Sequence, residues 1–282
     1  MQHKFSLHKI DNEEHFSFDP AEYSRFKYGD DLIAEKYGNE LANSFISQIM
    51  QTLPFYGKQF VVISSPYSFI PTATYALKTH FVNNFNRWLI SNNYPPVEES
   101  KIHRTVTYKE DYGSLNQDER IDLIQNDKFH IDKTFLKDKI LLFLDDIRIT
   151  GSHERMIVTT LNKFEIENDF YLLYFAELTN FQIHPKIENV FNNYSVKAIR
   201  DLGNIIKSGR FKFNTRFVKF ILNSDLKESG SFLLAQDEIF LNKLYDLSIG
   251  NNYHTIEEYK INLKFIETLV IPKLNKKLEY GN

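Results

Sequence analysis

A chain of 282 residues with 25% charged side chains and a formal charge of −3 has room for one α/β domain with additions, or for two small domains. It contains no cysteine, which excludes disulfides, thiolate zinc sites and a cysteine nucleophile. The basic residues are scattered and no apolar run approaches the roughly 18 to 20 residues of a membrane span, so neither nucleic acid nor a bilayer is the expected partner.

The first residues, MQHKFSLHKIDNEEHF, lack a continuous apolar stretch and carry acids early, so they do not read as a secretion signal and a cytoplasmic protein is expected. Residues 1–57 read as a polar lead-in followed by helices. Asp19 before Pro20 is a helix start, and residues 31–53 repeat apolar side chains at helical spacing through Leu32, Ile33, Tyr37, Leu41, Phe45, Ile46 and Ile49. At residue 59 the period changes. FVVIS is a short apolar run suited to a strand buried on both faces of a parallel sheet. Pro71 opens a helix that ends near Pro95 and Pro96. A strand is expected over 102–108, then a long polar insert with a short helix over 118–125. Residues 139–144 form the next strand, 153–164 a helix, 170–176 a strand and 196–199 a last short strand. Beyond Gly203 the pattern is helical, with apolar faces over 217–222, 239–247 and 256–278. The alternation predicts an α/β fold, a doubly wound and mostly parallel sheet over residues 58–202, flanked by helical segments 1–57 and 203–282.

The most informative run is ILLFLDDIRITGSHE, residues 140–154. An apolar strand here delivers two adjacent carboxylates, Asp145 and Asp146, to the strand end that faces ligands in such sheets. Carboxylates there can accept hydrogen bonds from vicinal sugar hydroxyls and can orient water on a bound Mg2+ ion. The following loop has the opposite polarity. Backbone N–H groups of Arg148, Ile149, Thr150, Gly151, Ser152 and His153, with the Thr150 and Ser152 hydroxyls and a helix N-terminus, would surround a phosphate. Gly151 permits close approach of the backbone or a positive φ.

This run resembles the phosphoribosyl pyrophosphate motif of type I phosphoribosyltransferases. The resemblance implies that Asp145 and Asp146 hold the ribose 2′ and 3′ hydroxyls and magnesium through water, while residues 148–153 wrap the 5′-phosphate. Two departures stand out. Ile149 occupies the place of an acid that assists proton transfer in purine-salvage members, and His153 stands where threonine is common. SSPYSFIPTA, residues 64–73, resembles less closely the family's pyrophosphate loop. That likeness implies pyrophosphate contacts from Ser64, Ser65, Pro66, Tyr67 and Ser68, although Ser68 and Phe69 replace glycines. Ser65–Pro66 is a candidate cis bond.

The polar insert sits where the family keeps its catalytic loop. Arg104 and Lys109, with Arg120, would neutralise the leaving pyrophosphate, and Tyr112 with Gly113 would hinge the loop. Arg25, Lys27 and Tyr28, and Asn214, Thr215, Arg216 and Lys219, are candidates for a hood over the acceptor. The expected activity is magnesium-dependent phosphoribosyl transfer by a small-molecule enzyme, arranged as a homodimer and similar to members found in bacterial tellurite-resistance and stress clusters. The alternative is a non-catalytic sensor of phosphoribosyl pyrophosphate or a nucleotide. No HExxH pair, nucleophile elbow or Walker loop is present.

Overall fold

The computed structural model describes residues 1–52, 55, 57–103 and 132–279. Its centre is a five-stranded sheet in the order β1-β5-β4-β2-β3, from β1 (Gln2–Ile10), β2 (Phe60–Tyr67), β3 (Glu98–His103), β4 (Ile140–Arg148) and β5 (Phe170–Leu178). Every strand pair is parallel. Parallel strands need covered faces, and side-chain alternation assigns each residue to one of them. Phe60, Val62, Leu142, Leu144, Leu173 and Phe175 point to one layer. There they meet α1 (Pro20–Lys27), α2 (Asp31–Phe45) and α3 (Ala73–Ser91). Val61, Ile63, Leu141, Phe143, Leu172 and Tyr174 point to the other, against α4 (Lys133–Leu136) and α5 (Ser152–Lys163).

The expected α/β class and the central strands agree with this arrangement. The first strand was not foreseen: residues 2–10, read as a polar lead-in to helices, pair with β5 in register from Gln2 opposite Phe170 to Ile10 opposite Leu178. The N-terminal segment is therefore part of the sheet. Residues 196–199 are not a strand. Val196 and Ile199 are buried in a separate apolar cluster with the C-terminal helices, and a 3-10 turn begins at Ile199. The third strand lies at Glu98–His103, earlier than the expected 102–108, and residues 104–131, including the expected helix over 118–125, lie outside the described residues.

The remaining helices are α6 (Ile187–Asn192), α7 (Leu202–Ile206), α8 (Thr215–Asn223), α9 (Leu226–Leu234), α10 (Glu238–Gly250) and α11 (Lys260–Glu279). Their cluster includes Tyr28 and Ile70 from the sheet domain, so the C-terminal layer is packed on the core. Asp19, Asp30, Asn214 and Asp237 each cap a helix through a side-chain oxygen, satisfying N–H groups that a helix start leaves open. Among the described residues no helix is long and apolar enough to cross a membrane.

Candidate functional site

A cavity of about 410 Å³ opens beyond the C-terminal ends of β2 and β4, the position at which parallel α/β sheets bind ligands. One wall comes from the ends of these strands and the loops after them, residues 65–68 and 145–154, and the opposite wall from α1, α6, α8 and the turn after α10.

Adjacent residues on a strand face opposite sides, and this separates the two acids. Asp145 turns toward α5. Its Oδ1 accepts from Ser65 Oγ at 2.6 Å and from the Asp146 amide at 3.0 Å, while its Oδ2 lies 2.8 Å from His153 Nδ1. Asp146 turns toward α1 and α3 and is buried. Its Oδ2 accepts from Tyr23 OH at 2.7 Å and forms an ion pair with Lys27, and its Oδ1 accepts from Thr74 Oγ1 at 3.1 Å. Burial pushes the Asp146 carboxyl up, but the Lys27 charge, with hydrogen bonds from Lys27 and Tyr23, outweighs burial and holds it well below the usual carboxylate range. Burial beside that carboxylate pushes the Tyr23 phenol well up.

The loop after β4 turns tightly into α5. Gly151 caps α5 with φ +70°, a conformation that favours glycine, and a Cβ there, 2.9 Å from Arg148 Nη2, would have to displace that guanidinium. Thr150 Oγ1 and Ser152 Oγ are 2.7 Å apart, and Arg155 donates to the Thr150 carbonyl at 2.9 Å. The Arg148 guanidinium is committed elsewhere: Nε binds Glu154 at 2.5 Å and Nη1 lies 3.3 Å from buried Glu177. Arg148 thus braces the loop. Ile149 is buried on the cavity wall.

Of the residues expected for pyrophosphate, Ser65, Pro66, Tyr67 and Ser68 line the cavity, whereas Ser64 is buried in β2 and faces a smaller one. Among the described residues there is no cis peptide bond, so Ser65–Pro66 is trans. Lys101 Nζ stands 3.7 Å above the Tyr67 ring and donates to the Ser68 carbonyl at 3.0 Å. Burial, with Tyr75 alongside, pushes the Tyr67 phenol up to about 12, leaving it protonated at neutral pH. The amides of Phe69 and Ile70 are already engaged: both donate to Asn251 Oδ1, at 2.9 and 3.0 Å. Thr215 Oγ1 binds the Ile70 carbonyl at 2.8 Å, adding a second tie from the C-terminal layer. Two buried hydroxyls on the cavity wall, Thr72 Oγ1 and Tyr174 OH, lack a partner among the described residues. Such a group costs about 1–3 kcal/mol until water or a ligand meets it.

The hood residues Lys27, Tyr28, Thr215, Arg216 and Lys219 all reach the cavity, while Arg25 pairs with Asp30 away from it and Asn214 caps α8. Tyr28 packs edge-on against Phe220, and the Arg216 guanidinium lies 5.9 Å from the Tyr28 ring centre. Arg104, Lys109, Tyr112, Gly113 and Arg120 lie outside the described residues. The sequence reading missed Tyr23, Thr74 and Asn251. Only tertiary pairing marks them, at separations of 123, 72 and 181–182 residues.

The expected magnesium can be judged against this donor set. Among the described residues no group of three or more His, Cys, Asp or Glu could hold a metal. Both Asp146 oxygens are used by protein donors, and a divalent ion about 4 Å from the Lys27 ammonium would meet roughly 8 kcal/mol of repulsion at an effective dielectric near 20. The acid pair as arranged does not fit magnesium.

A parallel sheet with an acid pair near the end of its central strand, followed by a glycine-started helix, defines an α/β protein with a ligand cavity at its strand ends. The model of the phosphoribosyltransferase family described as "PRTase ComF-like" matches residues 1–266, and the chain belongs to that family. No curated protein matches it. Similar solved structures include a hypoxanthine phosphoribosyltransferase from Staphylococcus aureus, at 10% identity over 51% of this chain and 73% of that one, with a TM-score of 0.33. A mutant of the Trypanosoma cruzi hypoxanthine phosphoribosyltransferase, complexed with IMP, is 14% identical over 53% of this chain and 75% of its own, with a TM-score of 0.31.

Proposed function

We propose that this protein binds phosphoribosyl pyrophosphate in the cavity at the end of β4 and transfers its phosphoribosyl group to an acceptor lodged against the hood. The observation that carries this reading is the placement of Asp145 and the Gly151-started α5 on one wall of a single cavity. Asp145, oriented by Ser65 and His153, accepts a ribose hydroxyl. The amides of residues 150–153 and the positive end of the twelve-residue α5 receive the 5′-phosphate. An acceptor nitrogen on the hood side attacks C1 of the ribose. The C1–O bond to pyrophosphate breaks, and pyrophosphate leaves with the electron pair. Tyr28 and Phe220, packed edge-on, form an aromatic corner of the cavity for a ring-bearing acceptor. This reading assigns magnesium no role at the acid pair.

A second reading, a sensor that binds without turnover, is favoured by one feature: the Phe69 and Ile70 amides, at the end of the loop that would meet a leaving pyrophosphate, already serve Asn251. Calorimetric titration with phosphoribosyl pyrophosphate, followed by assays of pyrophosphate release with nucleobases and small amines, separates the two. Turnover supports the transferase and binding alone the sensor. An affinity unaltered by Asp145→Asn combined with Asp146→Asn refutes the site.

A further inference from the structure

We infer that Lys27 is the resident cation of this site, holding on Asp146 the place a divalent ion would take, so that the acid pair engages a sugar hydroxyl without metal. The inference rests on the ribose-phosphate reading above.

Lys27 lies in the last turn of α1, where a lysine stem ordinarily extends to water and a cation suits the negative helix end. This one turns inward: its side chain is 12% exposed and that of Asp146 7%. Tyr23, one turn earlier, places its hydroxyl on the same Asp146 oxygen, and its ring centre is 5.7 Å from the ammonium. Thr74, in the first turn of α3, takes the other oxygen. The three donors belong to two helices packed on the sheet, so the counter-charge of Asp146 is built into the scaffold. Asp145 remains as the carboxylate nearer the loop that would take the phosphate, steadied by His153. Magnesium requires near-octahedral oxygen donors and usually keeps several waters. Both Asp146 oxygens already accept from protein donors, and the Lys27 ammonium denies the carboxylate a surrounding clear of positive charge. Lys27 is on this account a positioning residue, and it makes the second acid a fixed neutral pair in place of a metal outpost.

The test is a Mn2+ titration followed by electron paramagnetic resonance, with saturating ribose 5-phosphate whose own binding is measured by calorimetry with and without EDTA. Wild type is expected to bind ribose 5-phosphate equally in both buffers and to hold Mn2+ no tighter than millimolar. Lys27→Met is expected to bind Mn2+ at least tenfold more tightly, Asp146→Asn added to it to abolish the gain, and Lys27→Arg to behave as wild type. A wild-type Mn2+ site removed by Asp145→Asn overturns the inference, as does a folded Lys27→Met protein with no gain. If Lys27→Met does not fold by circular dichroism, the wild-type titration and Lys27→Arg decide. Failure of wild type to bind ribose 5-phosphate in either buffer refutes the underlying reading, whereas ribose 5-phosphate binding that requires metal refutes this inference alone.

Discussion

Replacing Lys27 by methionine keeps most of the stem's packing and removes the charge that balances a buried carboxylate. Asp146 and Lys27 are 7% and 12% exposed at their side chains, so solvent screens neither well. Breaking such a pair from one side costs about 3–5 kcal/mol. Hydrogen bonds from Tyr23 and Thr74 persist and place the expected loss near the lower end, about 3 kcal/mol at pH 7. The pH dependence has a definite sign. In wild type the Asp146 carboxyl is held below its unfolded value, so its contribution is full above roughly pH 4 and is lost as pH falls through the depressed folded value. In the variant, burial dominates and raises the folded value. The penalty is then full at neutral pH and fades as the pH drops toward about 4, where the carboxyl is protonated in both states. Urea midpoints of the two proteins should therefore lie far apart at pH 7, draw closer as the pH falls to about 4, and converge only below it, where wild type loses its own contribution. Adding Asp146→Asn to Lys27→Met should restore much of the loss at pH 7. A difference below about 1 kcal/mol at pH 7, or one independent of pH, refutes the buried-pair account.

Asp145→Asn should weaken ribose 5-phosphate binding at least tenfold, read by calorimetry, while moving the urea midpoint less than Lys27→Met does, because Asp145 is only partly buried. Gly151→Val combines a β-branched side chain at φ +70° with a Cβ 2.9 Å from Arg148, and should cost about 1–3 kcal/mol and abolish detectable ribose 5-phosphate binding. An unchanged affinity would remove the loop from the site. Asn251→Ala withdraws the acceptor shared by the Phe69 and Ile70 amides and should cost about 1–3 kcal/mol. Hydrogen exchange at those two amides should accelerate, and protection equal to wild type would contradict the tie.

The central strands and the acid pair were legible because continuous apolar runs such as residues 140–144 have few other ways to be buried. The edge strand β1 was not, since Lys4, Ser6, His8 and Lys9 break its apolar content and its pairing partner lies 168 residues away. Lys4 and Lys9 make sense only beside Glu177, with which both pair at the end of β5. Residues 196–199 show the converse: Val196 and Ile199 carry a strand's apolar character but are buried by the helices of the C-terminal layer. In the site, Asp145, Asp146 and Gly151 could be marked from local spacing. The partners that give the two acids different roles, Lys27 and Tyr23 for one and His153 for the other, follow from the strand's alternating faces and the helices above each face.

Asn251 has a mechanical consequence. Because one side-chain oxygen holds two successive amides of the loop after β2, and Thr215 grips the next stretch, that loop and the C-terminal layer are coupled parts. Displacing that loop requires the end of α10 to give way. The two walls of the cavity therefore move as one, and anything that shifts residues 65–70 also shifts the C-terminal layer.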